Sequence, residues 1–121
     1  MTRIRTLALA GFAAAGILAS ALPASAEFFG WQVTNVEDWD VLNVRAAPNS
    51  AAPILVGYPN GTALSLTGNC TGGLKLDDIN GKPKFQQTAA VRYRWCETWI
   101  DPLGDGNYQS GWVYGKFIEP L

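Results

Sequence analysis

Residues 41–67 read VLNVRAAPNSAAPILVGYPNGTALSLT, and this stretch decides the fold. It holds three short runs rich in aliphatic and β-branched residues, Val41 to Arg45, Ile54 to Tyr58 and Thr62 to Thr67. Between them lie Ala47-Pro48-Asn49-Ser50 and Pro59-Asn60-Gly61. These residues supply the fixed φ of proline and the positive φ that tight turns demand, and Asn60-Gly61 predicts a hairpin turn. In the third run Leu64 and Leu66 stand two residues apart, so they share one face of a strand, the face that should meet a core.

The same rhythm continues on both sides of this stretch. Trp31 to Val36 precedes it, and Val91 to Ile100 and Gly111 to Tyr114 follow. No apolar pattern at helical spacing extends beyond a turn or two, so helices are not expected to carry the fold. Short strands at such spacing predict a small barrel. One segment breaks the pattern. From Thr71 to Thr88 the chain has Gly72-Gly73, Asp77-Asp78 and Asn80-Gly81, with only isolated apolar residues at Leu74, Leu76, Ile79 and Phe85. That composition predicts a long loop carrying a small hairpin around Asn80-Gly81.

At the N-terminus Arg3 and Arg5 precede an apolar run, Leu7 to Leu22, which ends before Ala24-Ser25-Ala26. This is the layout of a secretory signal peptide cleaved after Ala26. The expected organisation is a leader at 1–26, an N-terminal strand or lead-in at 27–40 and a barrel domain at 41–121. The expected location is the periplasm or the exterior. Seven basic residues against ten acidic ones follow Ala26, a net charge near −3. On that overall count neither nucleic acid nor anionic lipid is an expected partner. No later apolar stretch approaches the roughly 20 residues that span a bilayer, so no membrane association is expected after cleavage. Cys70 and Cys96 are the only cysteines, and an even pair in an exported chain predicts one disulfide.

The ordered set Leu42-Asn43-Val44-Arg45-Ala46-Ala47-Pro48, Ile54-Leu55-Val56-Gly57, Gly61-Thr62-Ala63-Leu64, Trp95-Cys96, Gly111-Trp112-Val113 and Phe117-Ile118 resembles the bacterial SH3 family, often called SH3b. The resemblance covers roughly residues 41–118. It implies an all-β fold, a small SH3-like barrel of about five to seven short antiparallel strands with one long inserted loop. Leu42, Val44, Leu55, Leu64, Leu66, Val91 and Val113 are then expected inside, and Arg45 is expected to buttress the turn after it. Some exported members also resemble this chain in the places of Cys70 and Cys96. Two departures stand out: the insertion from about Thr71 to Arg94 is long for the family, and Asp101 to Ser110 lengthens the final hairpin.

The inventory for catalysis is poor. There is no histidine, no free thiol is expected, and no serine is flanked by an evident base, so a non-catalytic protein without cofactor or metal is expected. Glu97 with Asp101, or Asp77 with Asp78, could form a carboxylate pair, but adjacent Asp77-Asp78 in a Gly-rich loop reads as a solvated turn. The oxygen-rich run Asp101 to Asn107 lacks the alternating acidic ligands of a calcium loop and also reads as a turn. What the chain has in excess is aromatic rings: five Trp and four Tyr remain after Ala26. Trp31, Trp39, Tyr58, Tyr93, Trp99, Tyr108 and Tyr114 are candidates for exposure. Tyr58, Trp99, Tyr108 and Tyr114 lie at or beside loops and are the candidate ligand-binding residues, because flat rings beside polar groups suit sugars and peptides. The resemblance implies binding to peptidoglycan or its peptide stems; another exported protein is the alternative partner.

Overall fold

The computed structural model describes residues 28–121, so the expected leader and its cleavage site lie outside the described residues. Among these residues seven strands form: β1 Phe29–Val33, β2 Leu42–Arg45, β3 Ile54–Tyr58, β4 Ala63–Cys70, β5 Trp95–Ile100, β6 Gln109–Tyr114 and β7 Ile118–Pro120. One helix, α1, spans Lys84–Val91. The strands make a single antiparallel sheet in the order β3-β2-β6-β5-β4-β1-β7. The small all-β fold is therefore as the sequence predicts. Closure is not: β3 and β7 remain as edges, and the sheet is open. The residues expected as a lead-in supply β1, which sits between β4 and β7 within the sheet.

Alternation along each strand builds the core. Leu42 and Val44 of β2, Leu64 and Leu66 of β4, and Val113 of β6 are buried, as expected, while Leu55 is half-buried. Trp31 and Val33 join them from β1. Close packing of β6 against β2 explains the glycine of Gly111-Trp112-Val113. A Cβ at Gly111 would stand 2.5 Å from Val44 Cγ1 and 3.3 Å from the Arg45 carbonyl oxygen. Register shifts between Val44 and Arg45, and between Leu66 and Cys70, mark the places where the strands bend. Arg45 buttresses the following turn, donating from Nη1 to the Ala52 carbonyl at 2.9 Å.

Three expectations are corrected. Asn60-Gly61 does not close a hairpin, because β3 pairs with β2 while β4 pairs with β1 and β5. The turn instead carries the chain across the rim of the sheet. It is closed by Thr62 N–H to the Pro59 carbonyl at 3.2 Å and tied to β1 by Gly61 N–H to the Val33 carbonyl at 2.9 Å. Secondly, the insertion holds no hairpin at Asn80-Gly81. Two short 3₁₀ turns, Thr71–Gly73 and Leu76–Asp78, lead into α1. Pro83 opens the helix with the fixed φ that suits such a position, and its carbonyl accepts the N–H groups of Gln86 and Gln87. The buried Gln87 amide donates to the Asn80 and Lys82 carbonyls, so the expected hairpin turn is strapped to the helix. Thirdly, Val91 is buried as expected but ends the helix; β5 begins only at Trp95.

The disulfide is formed. Cys70 and Cys96 are direct cross-strand partners on β4 and β5, and together they close the base of the insertion. Among the described residues no helix is long and apolar enough to cross a membrane. Both observations are compatible with export.

Candidate functional site: an aromatic groove

Period-two alternation on β5 buries Cys96, Thr98 and Ile100 and leaves Trp95, Glu97 and Trp99 on the opposite, half-buried face. On β6 the same face carries Ser110, Trp112 and Tyr114, placed by register opposite Trp99, Glu97 and Trp95. Arg45 of β2 pairs with Trp112 and extends the face. The result is a sheet surface of rings interleaved with polar groups.

At one end this surface deepens into a groove of about 900 Å³. Trp95 and Tyr114 form its aromatic floor, with ring centroids 5.3 Å apart at 53°, and Phe117 continues the row 6.4 Å from Tyr114. Such tilted pairs are the favoured geometry for interacting rings. Phe117 is positioned by the 3₁₀ turn Gly115–Phe117 that follows β6. Asn35, in a left-handed conformation at φ 62°, donates from Nδ2 to the Lys116 carbonyl at 3.1 Å and holds the 35–41 segment against that turn. Charges of both signs line the groove: Arg45 and Lys116, and Glu37 and Asp40. A ligand with flat or apolar surface and charged ends matches this lining.

Of the residues singled out in the sequence, Tyr114 lies in the groove. Trp99 shares its face of the sheet but stands four residues from Trp95, roughly 13 Å along the strand. Its indole Nε1 is buried and has no hydrogen-bond partner. Tyr108 is exposed in the loop beyond Trp99, at the opposite end of the β5–β6 hairpin from the groove. Tyr58, on edge strand β3, is half-buried against the core. Trp31, expected among the exposed rings, is 2 % exposed, because it faces inward between β4 and β7. Trp39 and Tyr93 are largely exposed. Sequence reasoning missed Trp95 and Phe117. The spacing of Trp95, Glu97 and Trp99 does place Trp95 on the outer face, but its position beside Cys96 made it read as part of the framework.

Glu97, Asp101 and Asp105 are occupied locally. Glu97 Oε1 accepts from Thr67 Oγ1 at 2.9 Å and from Asn69 Nδ2 at 3.2 Å. Asp101 follows β5, roughly 13 Å along the chain from Glu97. Its two oxygens accept the Asp105 and Gly106 N–H groups at 3.2 and 3.0 Å. The Asn107 N–H bonds Asp105 and holds its carboxyl below the usual range. The 101–107 run is thus a self-bonded turn.

Burial, and secondarily the negative charge of Asp101, raise the Tyr58 hydroxyl above its ordinary value of 10.0. A raised acid binds its proton more tightly in the folded state, so the associated stability is complete below pH 10 and is lost as pH rises through the folded value. Urea unfolding from pH 9 to 11.5 should show this decline, and Tyr58→Phe should remove it. An unchanged slope in that variant would mean that other tyrosines cause the decline.

No family model matches this chain, and neither a curated protein nor a solved structure does.

Proposed function

We propose that this protein is an exported, non-catalytic binding module of the bacterial SH3 type, and that its aromatic groove takes a short peptide of the cell wall. The observation that carries this reading is the groove itself: Trp95, Tyr114 and Phe117 in a row, with Arg45, Lys116, Glu37 and Asp40 lining the same space. Rings offer a peptide apolar faces at low entropic cost, and charges of both signs suit a ligand bearing amines and carboxylates. The family resemblance, with its turn-bracing Arg45 and close-packed Gly111, supports the same reading.

Titrating the exported protein with soluble peptidoglycan fragments tests it through tryptophan fluorescence, since Trp95 lies in the groove floor. A saturable shift is expected. Tyr114→Ala should weaken binding about thirtyfold, the effect of losing a central aromatic anchor, while Trp99→Phe leaves it unchanged. Incubation with intact sacculi should retain the protein and release no fragments; released fragments would show a hydrolase.

Trp39 favours a second reading. It is 81 % exposed on the segment that borders the groove, and an isolated large ring there suits a protein partner. Absence of any fluorescence shift, with co-purification of an exported protein that Trp39→Ala abolishes, would establish that alternative.

A further inference from the structure

The overall deficit of positive charge conceals a strong local excess. Four of the seven cations that follow Ala26, Lys82, Lys84, Arg92 and Arg94, fall on or beside α1, and residues 79–96 contain no acid. The helix is anchored from behind by Gln87 and Val91, both buried. Helical spacing then places Phe85, Ala89 and Arg92 in one outward row. Phe85 is 71 % exposed, and Tyr93 beyond it is 78 % exposed. Lys82, Lys84 and Arg92 are exposed around them. The Arg92 guanidinium lies 5.7 Å from the Tyr93 ring centre.

Beside this row is a shallow cleft of about 560 Å³ between Thr71 and Gly72 on one side and Ala89, Ala90, Tyr93 and Arg94 on the other. Arg94 is fixed at its wall, donating from Nε to the Ala90 carbonyl at 3.1 Å and from Nη1 to the Thr71 carbonyl at 2.8 Å. A guanidinium so held needs no reordering to meet an anion.

We infer that the outer face of α1 docks on an anionic phospholipid surface, with the cleft beside Arg94 receiving a headgroup phosphate. Charge complementarity selects an anionic occupant. Two exposed rings among the cations favour a bilayer over a polyanion that lacks apolar surface, because a bilayer offers an apolar layer just beneath its phosphates. Phe85 and Ala89 lie on a helix about 12 Å long, Arg92 at its C-terminal cap continues their outward row, and Lys82 and Tyr93 flank its two ends. The reading is independent of the groove.

The test is sedimentation of the exported protein with vesicles of phosphatidylglycerol mixed with phosphatidylcholine, against phosphatidylcholine alone. Binding is expected to the anionic vesicles only, and high salt should reverse it. Reversing three exposed charges, Lys82→Glu, Lys84→Glu and Arg92→Glu together, should weaken binding roughly a hundredfold. Phe85→Ser, which keeps every cation, should weaken it several-fold. Tyr114→Ala should bind vesicles as the parent does. Circular dichroism confirms that each variant is folded, which the exposed positions of Lys82, Lys84, Phe85 and Arg92 allow. No sedimentation with anionic vesicles, or equal binding by the charge-reversed variant, overturns the inference. Unchanged binding by Phe85→Ser together with full competition by soluble polyphosphate also overturns it, in favour of an anionic polymer.

Discussion

Alanine at both Cys70 and Cys96 is expected to lower the unfolding free energy by about 3.5 kcal/mol. The bridge spans 26 positions of sequence, and constraining a loop of that length in the unfolded chain accounts for this figure on the chain-entropy model. Location adds to its importance. The pair ties β4 to β5 directly, and the whole insertion emerges between its ends. Without it, the burial of Leu76, Ile79 and Val91 and the hydrogen bonds of Arg94 to Thr71 and Gly115 must hold the insertion. In a domain of this size the midpoint of thermal unfolding should fall by roughly 15 to 25 °C. Melts followed by circular dichroism measure it, with reduced parent protein as the companion sample. A fall of only a few degrees would show that apolar packing, not the cross-link, closes the insertion.

A second large effect is expected from one added methyl group. In Gly115→Ala the new Cβ would lie 1.8 Å from the Val91 carbonyl oxygen, 2.6 Å from its carbon and 3.0 Å from the Arg94 carbonyl oxygen. All three are backbone atoms, so no side-chain rotation relieves the clash. The Gly115 N–H also donates to the Arg94 carbonyl at 2.7 Å, the bond that seats the end of α1 against the turn after β6. To admit the methyl group the helix must lift, withdrawing the fully buried Val91 from the core. Overpacking together with the lost burial should cost about 3 kcal/mol or more. Urea unfolding gives the magnitude, and hydrogen exchange should show protection lost first in residues 84–91. Gly81→Ala is the control: nothing lies within 4 Å of its would-be Cβ, and its effect should stay within about 0.5 kcal/mol. Equal effects at the two positions would mean that α1 is not seated on Gly115.

Much of this architecture was legible because strand alternation is a local property. Leu42 and Val44, and Leu64 and Leu66, fall inward for the same reason that they stand two apart. The helix was not legible. It is two turns long and turns only Gln87 and Val91 fully inward, and one of those is polar, so its sequence carries almost no apolar period. Asn60-Gly61 misled for a related reason: turn chemistry specifies a reversal but not which strands meet after it.

The sequence by itself determined the β-rich character of the chain, most of its inward-facing residues and the pairing of its two cysteines, because composition, period and count are all local or global sums. Tertiary structure alone decided the open sheet, the seating of α1 on Gly115 and the groove. Asn35, Arg45, Trp95, Tyr114 and Phe117 come from distant parts of the chain and meet because β2, β6 and β5 are neighbours in the sheet. That order follows from which faces bury the most apolar surface together, a sum over the whole fold that no local pattern contains.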